Sequence, residues 1–199
     1  MSRLHPGGWG RLSQRTCCCR ASRYRLTKRN PGEIMNVKKR KAGNAPAETK
    51  EKTVEFIVKP FSELSPTELY EILKTRSEIF VVEQQCVCQD MDDKDKDALH
   101  VFCWNEAGRV TGCLRVFWND AENGIAQIGR VVTLEHGKGI GGKLLHKGVE
   151  VAREQLKAKT IRLHSQQYAI GYYAKEGFRV VSDIFQEDGI PHVEMVLEL

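Results

Sequence analysis

The segment EHGKGIGGKL at positions 135–144 limits the fold of this chain more than any other stretch. Residues 126–134 before it alternate as a strand, and residues 140–156 after it carry apolar side chains at helical spacing. A glycine-rich turn from strand to helix leaves main-chain N–H groups unpaired at the positive end of a helix dipole, an arrangement that attracts anions. Glycine matters because a side chain would keep a phosphate from reaching the backbone. The plain alternative is a turn with no ligand. As a triphosphate loop, Gly137, Gly142 and Lys143 fit G-x-x-x-x-G-K, but Leu144 stands where a Ser or Thr should hold magnesium. As a dinucleotide fingerprint, Gly137, Gly139 and Gly142 fit G-x-G-x-x-G. The next strand, TIRLHS at 160–165, then lacks the acid that would take a ribose.

The surroundings read as a mixed α/β domain. Val54, Phe56 and Val58 alternate as a first strand, and Ser65, Pro66 and Glu68 spell a capping box with proline at the first helical position. That helix is expected to run to about Phe80 with Leu69, Ile72 and Leu73 inward. Residues 81–97 read as loop or short helix. Residues 99–104 and 110–118 form a hairpin, and a turn at Asn123 and Gly124 leads to the strand before the glycine loop. A strand at 161–164, a helix at 168–176 and a closing hairpin of 179–185 with 192–197 complete the order. Hairpins together with crossover helices imply a central mixed, mostly antiparallel sheet flanked by helices.

Charge divides the chain in two. Residues 1–52 hold 14 Lys or Arg against 3 acids, whereas residues 53–199 hold 17 against 23. The chain reads as a basic tail, 1–52, on an acidic domain, 53–199, which disfavours nucleic-acid binding except nonspecifically through the tail. The tail lacks hydrophobic periodicity and is expected to be disordered. Its first 32 residues, arginine-rich and free of acids, resemble an organellar transit peptide in composition, but Pro6, Gly7, Gly8 and Gly10 interrupt the amphipathic helix such peptides use. Translation from Met35 is the alternative. No run of about 18 apolar residues exists to span a membrane. The seven cysteines are odd in number. Cys86 and Cys88 are too closely spaced for a zinc knuckle, so free thiols, no metal and a reducing, cytoplasmic setting are expected.

The glycine loop, the strand before it and the YYAKEGF segment at 172–178 together resemble the GNAT superfamily of acyl-CoA-dependent N-acetyltransferases. The similarity is nearest to the ElaA-like group, through FVVEQ at 80–84, QDMD at 89–92, IGRV at 128–131, residues 168–178 and EDGIPH at 187–192. It covers residue 55 to the C-terminus. The resemblance implies acetyl-CoA as acyl donor, and a pyrophosphate held by Lys138, Gly139, Ile140, Gly141, Gly142 and Lys143. His136 stands in place of the family's usual Gln or Arg. Val131 and Val132 match the strand that pairs with pantetheine, Gln166 stands at a further cofactor contact, and Tyr173 matches the tyrosine beside the departing sulfur.

Acyl transfer to an amine then requires an oriented carbonyl, a base and a proton for the thiolate. Tyr173 is expected to be the acid, since a phenol with a pKa of about 10 is near that of a thiol. Glu83 is favoured as base, followed by His164 and His192, with a water chain as the alternative. Arg130 orients an acidic group or belongs to a structural ion pair. The run QDMDDKDKD at 89–97 lacks the glycine and glutamate of a calcium loop and reads as a solvated acidic loop or as a recognition surface for a cationic acceptor. The leading expectation is acetyl transfer from acetyl-CoA to a primary amine, on a small molecule or a peptide, by direct attack in a ternary complex. The alternative is a catalytically silent CoA-binding sensor. The patterns leave a homodimer open.

Overall fold

The computed structural model describes residues 54–199, and the expectations for the basic tail lie outside them. The first strand, β1, is short: Ile57–Pro60, not Val54 onward. Proline ends it because it has no N–H to give the ladder.

Ser65 caps α1, Pro66–Ser77, reciprocally: its hydroxyl accepts from the Glu68 N–H at 3.2 Å, and the Glu68 carboxylate accepts from the Ser65 N–H at 2.8 Å. The buried face of α1 corrects the expectation. Only Ile72 of the three apolar residues is buried, beside Glu68, Glu71, Thr75 and Arg76, while Leu69 and Leu73 are half-buried. These polar groups are paired, with Lys59 on Glu68 at 2.8 Å and the Thr75 hydroxyl on the Val110 carbonyl at 2.6 Å. The helix then widens into a π-helical turn over Glu78–Glu83, closed by the Gln84 N–H on the Ile79 carbonyl at 2.9 Å. Such turns are frequent at functional sites, and this one brings Phe80 and Glu83 to the cleft described below.

The remaining elements are β2 (Leu99–Trp104), β3 (Val110–Asp120), β4 (Ile125–Thr133), α2 (Ile140–Glu154), β5 (Thr160–Gln166), α3 (Ile170–Ala174), β6 (Arg179–Val180), β7 (Phe185–Glu187) and β8 (Ile190–Glu198). The strands lie in the order β1-β2-β3-β4-β5-β8-β6, with β7 also on β8. Every pairing is antiparallel except β4 with β5, so the sheet is mixed and mostly antiparallel as expected. Two expectations near the C-terminus are corrected. The helix expected over 168–176 is a 3-10 turn, Gln167–Ala169, followed by only five α-helical residues. The run 179–185 is not one strand, because the Ser182 hydroxyl accepts the Glu194 N–H at 2.8 Å where a backbone carbonyl would continue the ladder. The tight hairpin is therefore β7–β8.

Two apolar clusters cover the sheet. Leu144, Leu145 and Val149 of α2 pack with Leu114, Ile128 and Leu163, whereas Ile72 and Ile79 pack with Phe102, Val110 and Val132. Gly148 sets how closely α2 approaches: a Cβ there would lie 2.9 Å from a Leu114 methyl.

Candidate active site

β4 and β5 pair only from Ile125↔Thr160 to Gln127↔Arg162. Beyond that point the two strands part, and among the described residues β4 has no strand partner on its β5 side. The opening is a cavity of about 510 Å3 lined by the free edge of β4, the π-helical turn, the end of β5, α3 and the β7–β8 turn. On its other side β4 slips register against β3 between Cys113 and Arg115, and Arg130 takes φ 54° in the resulting bulge. A bulge bends a strand and re-aims its side chains, here at the mouth of the cleft. The backbone around Val131 and Val132 thus lies on the cleft, while the Val132 side chain is buried in the core.

The glycine loop meets this cleft at the start of α2. Gly137 and Gly139 have φ of 77° and 75°, a region costly for other residues, and Gly139 sits at the N-cap with no side chain capping the helix. The first N–H groups of α2, from Gly139 to Gly142, have no intrahelical acceptor by position. The Lys143 N–H already bonds the Gly139 carbonyl at 3.4 Å, and Ile140 contributes main chain only, since its side chain is buried. A Cβ on Gly142 would meet nothing within 4 Å. The Lys138 ammonium pairs with Glu135 at 3.0 Å, and exposed His136 lies 3.5 Å from Glu83. Tyr172, a site residue that the sequence pattern does not distinguish from Tyr173, donates to the Gly141 carbonyl at 2.6 Å.

At the other end of the cleft Tyr173 is half-buried against Tyr172 and Phe178, with ring centroids 4.9 and 6.2 Å away. Burial pushes its phenol well above the usual value, aided by Tyr172 and Tyr168. The near-match to a thiol expected from an unperturbed phenol therefore fails. A phenol so placed keeps its proton and can act only as a hydrogen-bond donor or acceptor, not as a proton source in the neutral range.

His164 Nδ1–H donates a 2.9 Å hydrogen bond to the Glu187 carboxylate, which raises the imidazole pKa. His164 also stands edge-on to Phe185. His192, opposite Gln166 in the ladder, has its Nδ1 2.8 Å from the Ile190 carbonyl. Gln166 lines the cleft and donates from its amide to Gln84 across it at 3.3 Å, which leaves its second N–H and its carbonyl oxygen for other contacts. Glu83 lines the cleft with its side chain 56% exposed.

The acidic loop is neither solvated nor available to an acceptor at its main charges. Asp90, Asp92 and Asp95 are held by three arginines. Arg76 donates to Asp90 at 3.0 Å and to Asp95 at 2.8 Å, Arg115 grips both oxygens of Asp92 at 2.6 Å, and Arg130 donates to Asp90 at 2.8 Å. Burial would raise Asp92, but Arg115 and, at 3.4 Å, Arg130 hold it down at about 2. Arg130 is thus part of a structural network that folds this loop against the cleft. Glu83, Glu187 and Asp188 are the acids left to line it.

Known proteins share this architecture. The UPF0039 protein of Schizosaccharomyces pombe is 38% identical over 149 residues, covering 73% of this chain and 98% of that one. Protein ElaA of Escherichia coli is 34% identical over 142 residues, covering 69% and 92%, and its crystal structure matches with a TM-score of 0.68 over 73% of this chain and 100% of that one. An acyl-CoA N-acyltransferase from Pseudomonas aeruginosa is 32% identical with a TM-score of 0.66, covering 72% and 99%. The family model for the acetyltransferase (GNAT) domain matches residues 61–199. A splayed β4–β5 pair, an uncapped glycine turn at the head of α2 and these matches together make the chain a member of the GNAT acetyltransferase family.

Proposed function

We propose that the chain is an N-acetyltransferase that moves the acetyl group of acetyl-CoA to a primary amine in a ternary complex. The observation that carries this reading is the parting of β4 and β5 beside the uncapped start of α2. It gives an extended acyl-thioester a free strand edge to lie on and an anion site at one end. A second, shallow cavity lined by Lys143, His146 and Lys147 adjoins the anion site and suits the charged nucleotide end of CoA.

In this reading the N–H groups of Gly139, Gly141 and Gly142 hold the pyrophosphate, and the β4 backbone near Val131 aligns the thioester and polarises its carbonyl. The amine attacks the carbonyl carbon, a C–N bond forms, the C–S bond breaks, and sulfur leaves as thiolate. Tyr173 donates a hydrogen bond to that sulfur. The cationic amine gives one proton to His164, which Glu187 orients, and attacks as the neutral amine; the second proton, released as the C–N bond forms, passes through solvent to the thiolate and gives CoA thiol. Glu83, exposed at the mouth of the cleft, draws the cationic amine inward.

Acetyl-CoA turnover against a panel of amines, polyamines, amino sugars and peptides tests the reading. The expected result is CoA release that requires one class of amine and falls about 100-fold or more in Tyr173→Phe with acetyl-CoA binding retained. Tight acetyl-CoA binding with no turnover on any amine would instead support a silent CoA-binding sensor.

A further inference from the structure

The Cys-x-Cys pair, left by its spacing as two free thiols, gains a third partner from the opposite end of the domain. Cys86 Sγ, Cys88 Sγ and a carboxylate oxygen of Asp188 all lie within 4.8 Å of one another. Cys86 and Asp188 are held in place by backbone. Cys86 follows Gln85 at φ 54°, and its N–H is tied to the Phe80 carbonyl at 2.9 Å. Asp188, at φ 51°, forms with Gly189 the turn of the β7–β8 hairpin. The thiols are half-buried, the carboxylate is exposed, and all three residues line the cleft.

We propose that Cys86, Cys88 and Asp188 form a site for a thiophilic divalent cation of the zinc class, with a fourth coordination position open to the cleft. A tetrahedral ion with Zn–S of about 2.3 Å and Zn–O of about 2.0–2.2 Å needs its ligand atoms roughly 3.5–3.8 Å apart, a spacing below the 4.8 Å limit inside which all three lie. Two thiolates and one carboxylate favour zinc or cadmium over magnesium or calcium. Binding of a divalent cation releases the two thiol protons to solvent. Arg130, the nearby positive group, is already neutralised by Asp90 and Asp92. The proposal does not rest on acyl transfer, so its test reads binding rather than turnover.

The tail thiols Cys17, Cys18 and Cys19 would compete, so the test uses the full-length chain with those three changed to Ser, kept reduced. Cd2+ is titrated while the sulfur-to-cadmium charge-transfer absorption is followed, and Zn2+ is measured by competition with a chromophoric chelator. The expected result is one equivalent bound, with Cys86→Ser and Cys88→Ser each weakening affinity about 100-fold and Asp188→Asn about 10-fold. Asp188→Asn changes an exposed turn residue and so keeps the test independent of any folding defect in the thiol variants. Absence of stoichiometric binding would overturn the proposal, as would affinity unchanged in Cys88→Ser or a thiol count showing Cys86 joined to Cys88 in reduced protein.

Discussion

The Tyr172 phenol donates a 2.6 Å hydrogen bond to the Gly141 carbonyl and so ties α3 to the first turn of α2. Burial raises this phenol to about 12, which keeps it a donor throughout the neutral range. Its oxygen lies 3.4 Å from where a Gly141 Cβ would stand, so the small residue and the tyrosine fit each other. Tyr172→Phe should cost about 0.5–1.5 kcal/mol in urea unfolding. It should also weaken acetyl-CoA binding several-fold, because the anion-binding turn loses its brace. Calorimetric titration showing wild-type affinity in Tyr172→Phe would separate the brace from the site.

The arginine–aspartate network behind the cleft makes a second prediction, about acid. Asp92 is held at about 2 and Asp95 is also lowered, both from an ordinary value of 3.8. Groups depressed on folding contribute stability that is present above the unfolded value and is lost as pH falls through the folded one. Urea midpoints should therefore drop steeply between pH 4 and pH 2, and less steeply in Asp92→Asn. Arg76→Met, which leaves Asp90 to Arg130 alone and Asp95 to Arg115 alone in a poorly solvated site, should cost about 3 kcal/mol at pH 7. A loss no larger than that of an exposed-lysine variant would mean the network is not needed for the fold.

The pH dependence of turnover bears on the base. His164 has its pKa raised above 6.5 by Glu187, so below that raised value it is an imidazolium and cannot accept a proton. Activity should rise with pH through the raised value. Glu187→Gln removes the charge that raises it and should move the acid limb to lower pH. His164→Ala should abolish that limb and cut the rate about 100-fold or more, while Glu83→Gln should leave its position unchanged. Stability runs the other way. The His164–Glu187 pair contributes fully below 6.5 and loses that contribution as pH rises through the folded value. An acid limb that stays put in Glu187→Gln would remove His164 from the mechanism.

What could be read from sequence follows the range of the interaction. Ser65 and Glu68 are legible because a capping box closes within one turn, and the strand–glycine–helix passage at 135–144 is legible because its signal is local. The inward face of α1 was misread because Arg76 is acceptable inside only once Asp90 and Asp95 arrive, and periodicity treats an arginine as exposed. The break between β6 and β7 was hidden for a similar reason, since it turns on one hydroxyl, that of Ser182, replacing a carbonyl. The Gln166–Gln84 bond is not legible because Gln84 ends a π-helical turn that has no pattern of its own. The meeting of Asp188 with Cys86 and Cys88 depends on a hairpin tip and a loop that only the fold brings together.

Gly142 offers the sharpest separation of ligand binding from folding. It lies inside α2 with an ordinary backbone conformation, and a Cβ there would meet no protein atom within 4 Å. Nothing in the protein asks for glycine. Alanine at a helical position should, if anything, stabilise the fold, by up to about 1 kcal/mol through its better helix propensity. If the N–H groups at the head of α2 cradle a pyrophosphate, the added methyl stands where the phosphate oxygens must approach. Gly142→Ala should then raise the melting temperature slightly in free protein while weakening acetyl-CoA binding by about 10-fold, roughly the loss of one charge-assisted hydrogen bond of 1.5–3 kcal/mol. Gly139→Ala should lose both properties together, since its φ of 75° strains any residue with a Cβ. Unchanged acetyl-CoA affinity in a stable Gly142→Ala protein would place the pyrophosphate elsewhere.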